Sequence, residues 1–195
     1  MSEDSALATI YRYLAELWCN PADVDVAQLK NQQKKVDAYL VRIDPECAEK
    51  LRIFLQHYPC PEEEYIELFE LSPQCALYLG SFAFEEPKTC AGAGISDRNE
   101  YMIELVGIYR HFGLAIQHRE LPDYLPLMTE FLGLTASKRN DAVRHQFLQE
   151  YFLPFLPPVK QKLEEIHSPY AHLLFITARV AEWDMQKSQK EEVHR

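Results

Sequence analysis

Apolar residues recur along this chain mostly at steps of three and four, the spacing that lines one face of an α-helix. Leu7, Ile10, Tyr11, Leu14, Leu17 and Trp18 predict a first helix that stops near Pro21, where proline blocks continuation. Val26, Leu29, Val36, Leu40 and Ile43 predict a second over about Val24–Ile43. A third opens at "DPE": Asp44 is placed to cap, Pro45 takes the first helical position, and Glu46 suits the positive end of the dipole. Its buried face is Leu51, Phe54, Leu55 and Tyr58.

Beyond Pro59 and Pro61, the run Glu62–Glu64 favours a new helix start, with Tyr65, Leu68 and Phe69 on one side. Ser72-Pro73 breaks that helix, and "QCALYLGSFAF" reads as another. Residues 85–96, "EEPKTCAGAGIS", read as a mobile loop, and the Gly92/Gly94 pair lacks the strand and third glycine of a nucleotide site. "DRNE" reads as a capping box, Asp97 as cap and Glu100 reaching back. The helix that follows carries Tyr101, Leu105, Ile108, Tyr109 and Phe112 and should end near Gly113. Helices over about 138–153 and 157–167 come next, and a last one is opened by Ser168-Pro169. Leu173, Leu174, Ile176, Val180 and Trp183 form its inner side. No alternating strand pattern is present. The pattern predicts an all-α fold, a single compact bundle of about nine or ten helices over 1–185, followed by a polar tail at 186–195 that should fray.

Charge changes the picture. Asp and Glu total 30 against 20 Lys and Arg, a net charge of -10. Nucleic acid is a poor partner for such a chain, and a basic partner is a good one. The five cysteines form no CxxC, so reduced thiols are expected. The histidines form no compact metal spacing; His111 and His118 would share a face only if their helix passed Gly113. No metal or cofactor is expected on these grounds. The acidic "MSEDSALATI" start and the lack of a long apolar run predict a cytoplasmic protein with no membrane anchor.

Candidate chemistry concentrates in "ELPDYLPLMTEFLGL", Glu120–Leu134. Two prolines flank acids at the mouth of a helix. With Asp123 as cap, Pro126 stands third, where the N–H has no intrahelical partner. With an earlier start, Pro122 stands first. Either arrangement makes a rigid corner with Glu120 and Asp123 beside exposed amides. Asp123 and Glu130 are seven apart and would share a side, next to a stripe of Tyr124, Leu127, Phe131 and Leu134. Such a corner can receive a peptide. It can also be an acid–base pair, Glu120 with Asp123, in a small helical enzyme. A plain scaffold whose acids only cap is the third reading. Tyr65, Leu68 and Phe69 read as core or as the wall of an apolar groove, and the acids from Glu62 to Glu70 as a solvated face or a surface for a basic peptide.

The same stretch resembles the signature of the TorD/DmsD/NarJ chaperone family, E-x-P-D-H followed by E-F. The matching residues are Glu120, Pro122, Asp123, Glu130 and Phe131. Tyr65–Glu70 is similar to the family's Tyr-x-x-Leu-Phe segment, and "ALYLGSFAFEE" adds to the likeness, which is strongest over about 62–134. Tyr124 stands where the pattern often has His, so a titratable ring is replaced by a neutral phenol. The resemblance implies a non-catalytic cytoplasmic chaperone without a cofactor. Its partner would be the catalytic subunit of a molybdenum oxidoreductase, bound by the N-terminal or twin-arginine signal segment until the molybdopterin is inserted. The likeness is closest to the NarJ branch, which serves nitrate reductase, with assembly subunits of related periplasmic enzymes also similar. The implied contact residues are Glu120, Pro122, Asp123, Tyr124, Glu130, Phe131, Tyr65, Leu68 and Phe69.

Overall fold

The computed structural model describes residues 2–84, 96–117 and 120–193, with side chains as far as residue 188. The expectations for residues 85–95 and His118 lie outside it. Helix α1, Glu3–Trp18, starts at Ser2, whose hydroxyl accepts the Ser5 N–H at 3.3 Å. Helix α2, Val26–Ile43, is capped by Asp25. Helix α3, Pro45–Leu55, begins as the sequence predicts, with the Glu46 N–H donating to Asp44 at 2.9 Å. Helix α4 is Glu62–Phe69 and α5 is Asp97–His111. Gly113 then takes φ +71°, a left-handed conformation that closes α5 at no side-chain cost. Helix α6 is Leu125–Leu134, α7 Ala142–Gln146, α8 Leu156–Glu165 and α9 Tyr170–Val193. The fold is all-α, and no β-strand occurs among the described residues.

Helix α1 is the spine. It packs along α6 on one side and against α2 and α9 on others, and α9 in turn covers α3. Leu7, Ile10, Tyr11, Leu14, Leu17 and Trp18 are all buried, as the helical spacing requires. Trp18 donates to the Thr177 hydroxyl at 3.1 Å, so the one polar atom of a fully buried indole is satisfied. An ion network crosses the interior. Arg144 and Asp184 are both fully buried and meet at 2.7 Å, and the Tyr11 hydroxyl donates to the same carboxylate at 3.0 Å. Arg144 also donates to the Thr135 hydroxyl and the Leu132 carbonyl, which joins α7, α9, α1 and the end of α6.

Three local expectations are corrected. "QCALYLGSFAF" is not an α-helix: it runs through bends to Tyr78 and then makes a single 3-10 turn, Leu79–Phe82. Its backbone is engaged elsewhere, because Tyr78 pairs antiparallel with Tyr124 as an isolated bridge. The Leu79 N–H donates to the Asp123 carbonyl at 3.0 Å and the Leu125 N–H to the Leu77 carbonyl at 2.8 Å. Helix α5 is capped by Ser96, which accepts the Asn99 N–H at 3.2 Å, so Asp97 is its first residue rather than its cap. The helix expected over 138–153 is α7 followed by a π-helical turn, Phe147–Phe152, and a 3-10 turn, Leu153–Phe155. Pro154 has no N–H to continue an α-ladder, and the widened turn puts Phe147, Leu148 and Phe152 all into the core.

Candidate functional site

The corner at residues 120–125 is held from every side. The Tyr109 hydroxyl of α5 donates to the Pro122 carbonyl at 2.7 Å. The two backbone bonds of the Tyr78–Tyr124 bridge hold the next residues. Tyr124 occupies the N-cap of α6 without a side-chain cap bond, and Pro126 stands in the first turn. Asp123 is therefore not the cap, and it does not share a side with Glu130. It turns inward and is fully buried, its Oδ2 accepting the Gly80 N–H at 3.0 Å, with the Arg98 guanidinium at 3.6 Å. Glu130 points the other way and is exposed. The tight backbone pairing explains the inversion: once the Asp123 carbonyl is engaged by Leu79, its side chain lies over the turn at Gly80.

Burial is the first influence on the Asp123 carboxyl and raises it above the usual carboxylate range, with Arg98 opposing. Glu120 stays near the surface. It accepts the Tyr78 hydroxyl at 3.0 Å and the Leu121 N–H at 2.9 Å. Burial, then this bond to Glu120, pushes the Tyr78 phenol up to about 12. The Tyr78 and Tyr124 rings lie 5.4 Å apart.

Beside the corner runs an open groove of about 730 Å³ between α1, α6 and the chain after α5. Glu120, Tyr124, Glu130 and Phe131 line it together, so the structure unites these four expected residues. Pro122 and Asp123 are buried behind the wall. Tyr65, Leu68 and Phe69 are core residues: Phe69 and Tyr170 have ring centroids 4.7 Å apart, and the Tyr65 hydroxyl donates to the Trp18 carbonyl at 2.7 Å. They brace α4 and do not line the groove.

Sequence reasoning missed the opposite bank. Arg12, Glu16 and Asp23 come from α1 and the turn after it, Glu70 from the end of α4, and Leu114 and Ile116 from the chain after α5. No local pattern marks them, because the bank exists only once α1 lies along α6. Among the described residues, five carboxylates, on Glu16, Asp23, Glu70, Glu120 and Glu130, rim the groove against one guanidinium, that of Arg12. Burial, followed by Asp25 and Glu130, raises the Glu16 carboxyl, as expected where acids crowd one another. Between the acids the floor is apolar, with Ala15, Val24, Tyr124, Leu127 and Leu134. Among the described residues no cluster of three or more His, Cys, Asp or Glu could hold a metal ion, and no helix is long and apolar enough to cross a membrane.

The fold and the site define a helical bundle with an acid-rimmed, apolar-floored groove beside a braced proline corner. Comparison with known proteins places it further: residues 59–161 match the family described as nitrate reductase delta subunit, and the chain belongs to that family. It is 27% identical over 165 residues to the nitrate reductase molybdenum cofactor assembly chaperone NarJ of Escherichia coli K12, covering 80% of this chain and 64% of that protein. It is 30% identical over 114 residues to the probable chaperone of the same name in Bacillus subtilis 168, covering 58% of this chain and 55% of that protein. The probable nitrate reductase molybdenum cofactor assembly chaperone NarW of Escherichia coli K12 is 33% identical over 73 residues, 37% of this chain and 28% of that protein. The chain thus spans less than two thirds of the length of these relatives.

Proposed function

We propose that this protein is a cytoplasmic assembly chaperone that performs no chemistry itself. It holds the N-terminal region of a molybdenum oxidoreductase catalytic subunit, of the nitrate reductase type, while the molybdopterin cofactor is inserted. Where the client is exported, the same contact withholds a twin-arginine signal segment from the translocase. The observation that carries this reading is the groove: carboxylates on both banks above an apolar floor suit a segment that is basic at one end and apolar along its length. Family membership supports the class of client. An acid–base enzyme built on Glu120 and Asp123 is disfavoured, because Asp123 is fully buried and faces Gly80 instead of the groove.

Titration calorimetry with a synthetic peptide of the client's N-terminal segment tests the reading. Burial of the apolar part supplies most of the affinity, and the acids set orientation and rate of capture. Glu120→Gln and Glu130→Gln are each expected to weaken binding by roughly two- to fivefold at low salt, with the difference shrinking at high salt. Leu134 is 46% exposed on the floor, so Leu134→Ser is expected to leave the melting temperature nearly unchanged and still weaken the peptide severalfold. A peptide that binds equally well to all three variants would move the site away from this groove.

A further inference from the structure

Asp123 poses a physical problem. A fully buried carboxylate is costly, and its Oδ1 has no hydrogen-bond partner in the structure. Its Oδ2 is matched to Gly80 in two ways. It accepts the Gly80 N–H at 3.0 Å, and a Cβ built on Gly80 would lie 2.8 Å from it. Only glycine lets the turn approach this closely. The bond continues the bridge at Leu79 and Leu125 and locks residues 77–80 against the corner. The locked strip carries Tyr78, whose hydroxyl holds the Glu120 carboxylate on the rim.

We propose that Asp123 is a positioning residue for the groove: through Gly80 and Tyr78 it sets the Glu120 carboxylate in place, and it does not itself touch the bound segment. The inference rests on the peptide-holding reading of the groove. It makes the acceptor oxygen of Asp123 matter and its charge secondary, because no charge at that depth meets a peptide in the groove.

Four variants test this against the client N-terminal peptide. Asp123→Ala removes the acceptor, and affinity is expected to fall roughly two- to fivefold, no more than when the Glu120 charge itself is removed. Asp123→Asn keeps an oxygen for the Gly80 N–H, and affinity is expected to return to within about twofold of the parent protein, as a neutral acceptor still serves a backbone donor. Tyr78→Phe cuts the last link without disturbing Asp123 and is expected to reproduce the loss, which also covers the case in which Asp123→Ala folds poorly. In a Glu120→Gln background both losses are expected to vanish, because they act through that carboxylate. Losses that add to Glu120→Gln, or an Asp123→Asn variant as weak as Asp123→Ala, would overturn the inference while leaving the groove as the binding site. If the parent protein binds no peptide, the function proposal fails instead, and amide exchange decides the positioning role. The Leu79, Gly80 and Leu125 amides should then exchange at least about tenfold faster in Asp123→Ala than in Asp123→Asn, with α1 and α9 unchanged. Equal exchange in the two variants would overturn it.

Discussion

Gly80 and Asp123 show how much one pair of residues decides. A methyl group on Gly80 would meet Asp123 Oδ2 at 2.8 Å and the side chains of Tyr101 and Arg98 at 3.4 and 3.5 Å. Gly80→Ala is therefore expected to cost roughly 1–3 kcal/mol by overpacking, read by urea denaturation. Asp123 also makes stability depend on pH in an unusual direction. Burial raises its folded value above the ordinary 3.8, so the folded state binds the proton more tightly than the unfolded chain. Its contribution is most favourable below the ordinary value and is lost as pH rises through the raised one. Asp123→Asn has no such titration. The stability of the parent protein minus that of Asp123→Asn should fall as pH rises from about 4 towards 7, the interval above a normal carboxyl value. A difference that grows with pH would mean that Arg98, and not burial, governs this carboxyl.

Several helices of this protein, α1, α2, α3, α5 and α7, start where a side-chain oxygen is available. Ser96 supplies the cap of α5, and Asp97 stands inside it. Ser96→Ala is expected to cost about 1 kcal/mol, while Asp97→Asn, which removes only a charge near the helix start, should cost a few tenths. The reverse order in thermal denaturation would restore Asp97 as the cap. The segment 74–84 shows a different rule. "QCALYLGSFAF" has helix-compatible residues, yet its amides at Leu79 and Gly80 go to the corner at Asp123, and α-helix formation would forfeit those bonds. Local preference of a few tenths of a kcal/mol per residue loses to paired, buried backbone groups.

At the scale of the whole molecule, the interior ion network ties the helices into one body. Arg144 and Asp184 are fully buried, and the pair reaches Tyr11 on α1 as well as the end of α6. Removing one partner strands a buried charge, so Asp184→Ala is expected to cost about 3–5 kcal/mol. Replacing both, as Arg144→Met with Asp184→Leu, should cost less than that single change, because the Arg144 charge is no longer stranded and Arg139, 3.9 Å from Asp184, keeps its ion pairs with Glu3 and Asp4. Equilibrium denaturation of the two variants decides this, and a double variant weaker than Asp184→Ala would make the network itself the source of stability. The same long-range packing makes the groove, since one bank comes from α1 and its following turn and the other from α6.

What could be read without tertiary structure followed from short-range physics. The inner face of α1, most of those of α3 and α9 (Leu55, Tyr58 and Trp183 are only half-buried), the Asp44 cap and the stop at Gly113 are set by residues within a turn or two of each other. The proline corner was legible as a rigid turn for the same reason, and the structure brings four of the residues singled out there, Glu120, Tyr124, Glu130 and Phe131, onto one groove. The direction of Asp123 was not, because a capping geometry and an inward one are equally open to Asp beside Pro, and only the approach of Gly80 from 43 positions away selects between them. Nor were Arg12, Glu16, Asp23 and Glu70 legible as a rim: charge on an exposed helix face looks the same whether it borders solvent or a groove. The chain's own periodicity determined that there would be helices and which sides they bury. Only their packing decided which carboxylates share a surface and which are enclosed, as Asp123 and Asp184 are, because those are distances between residues far apart in sequence.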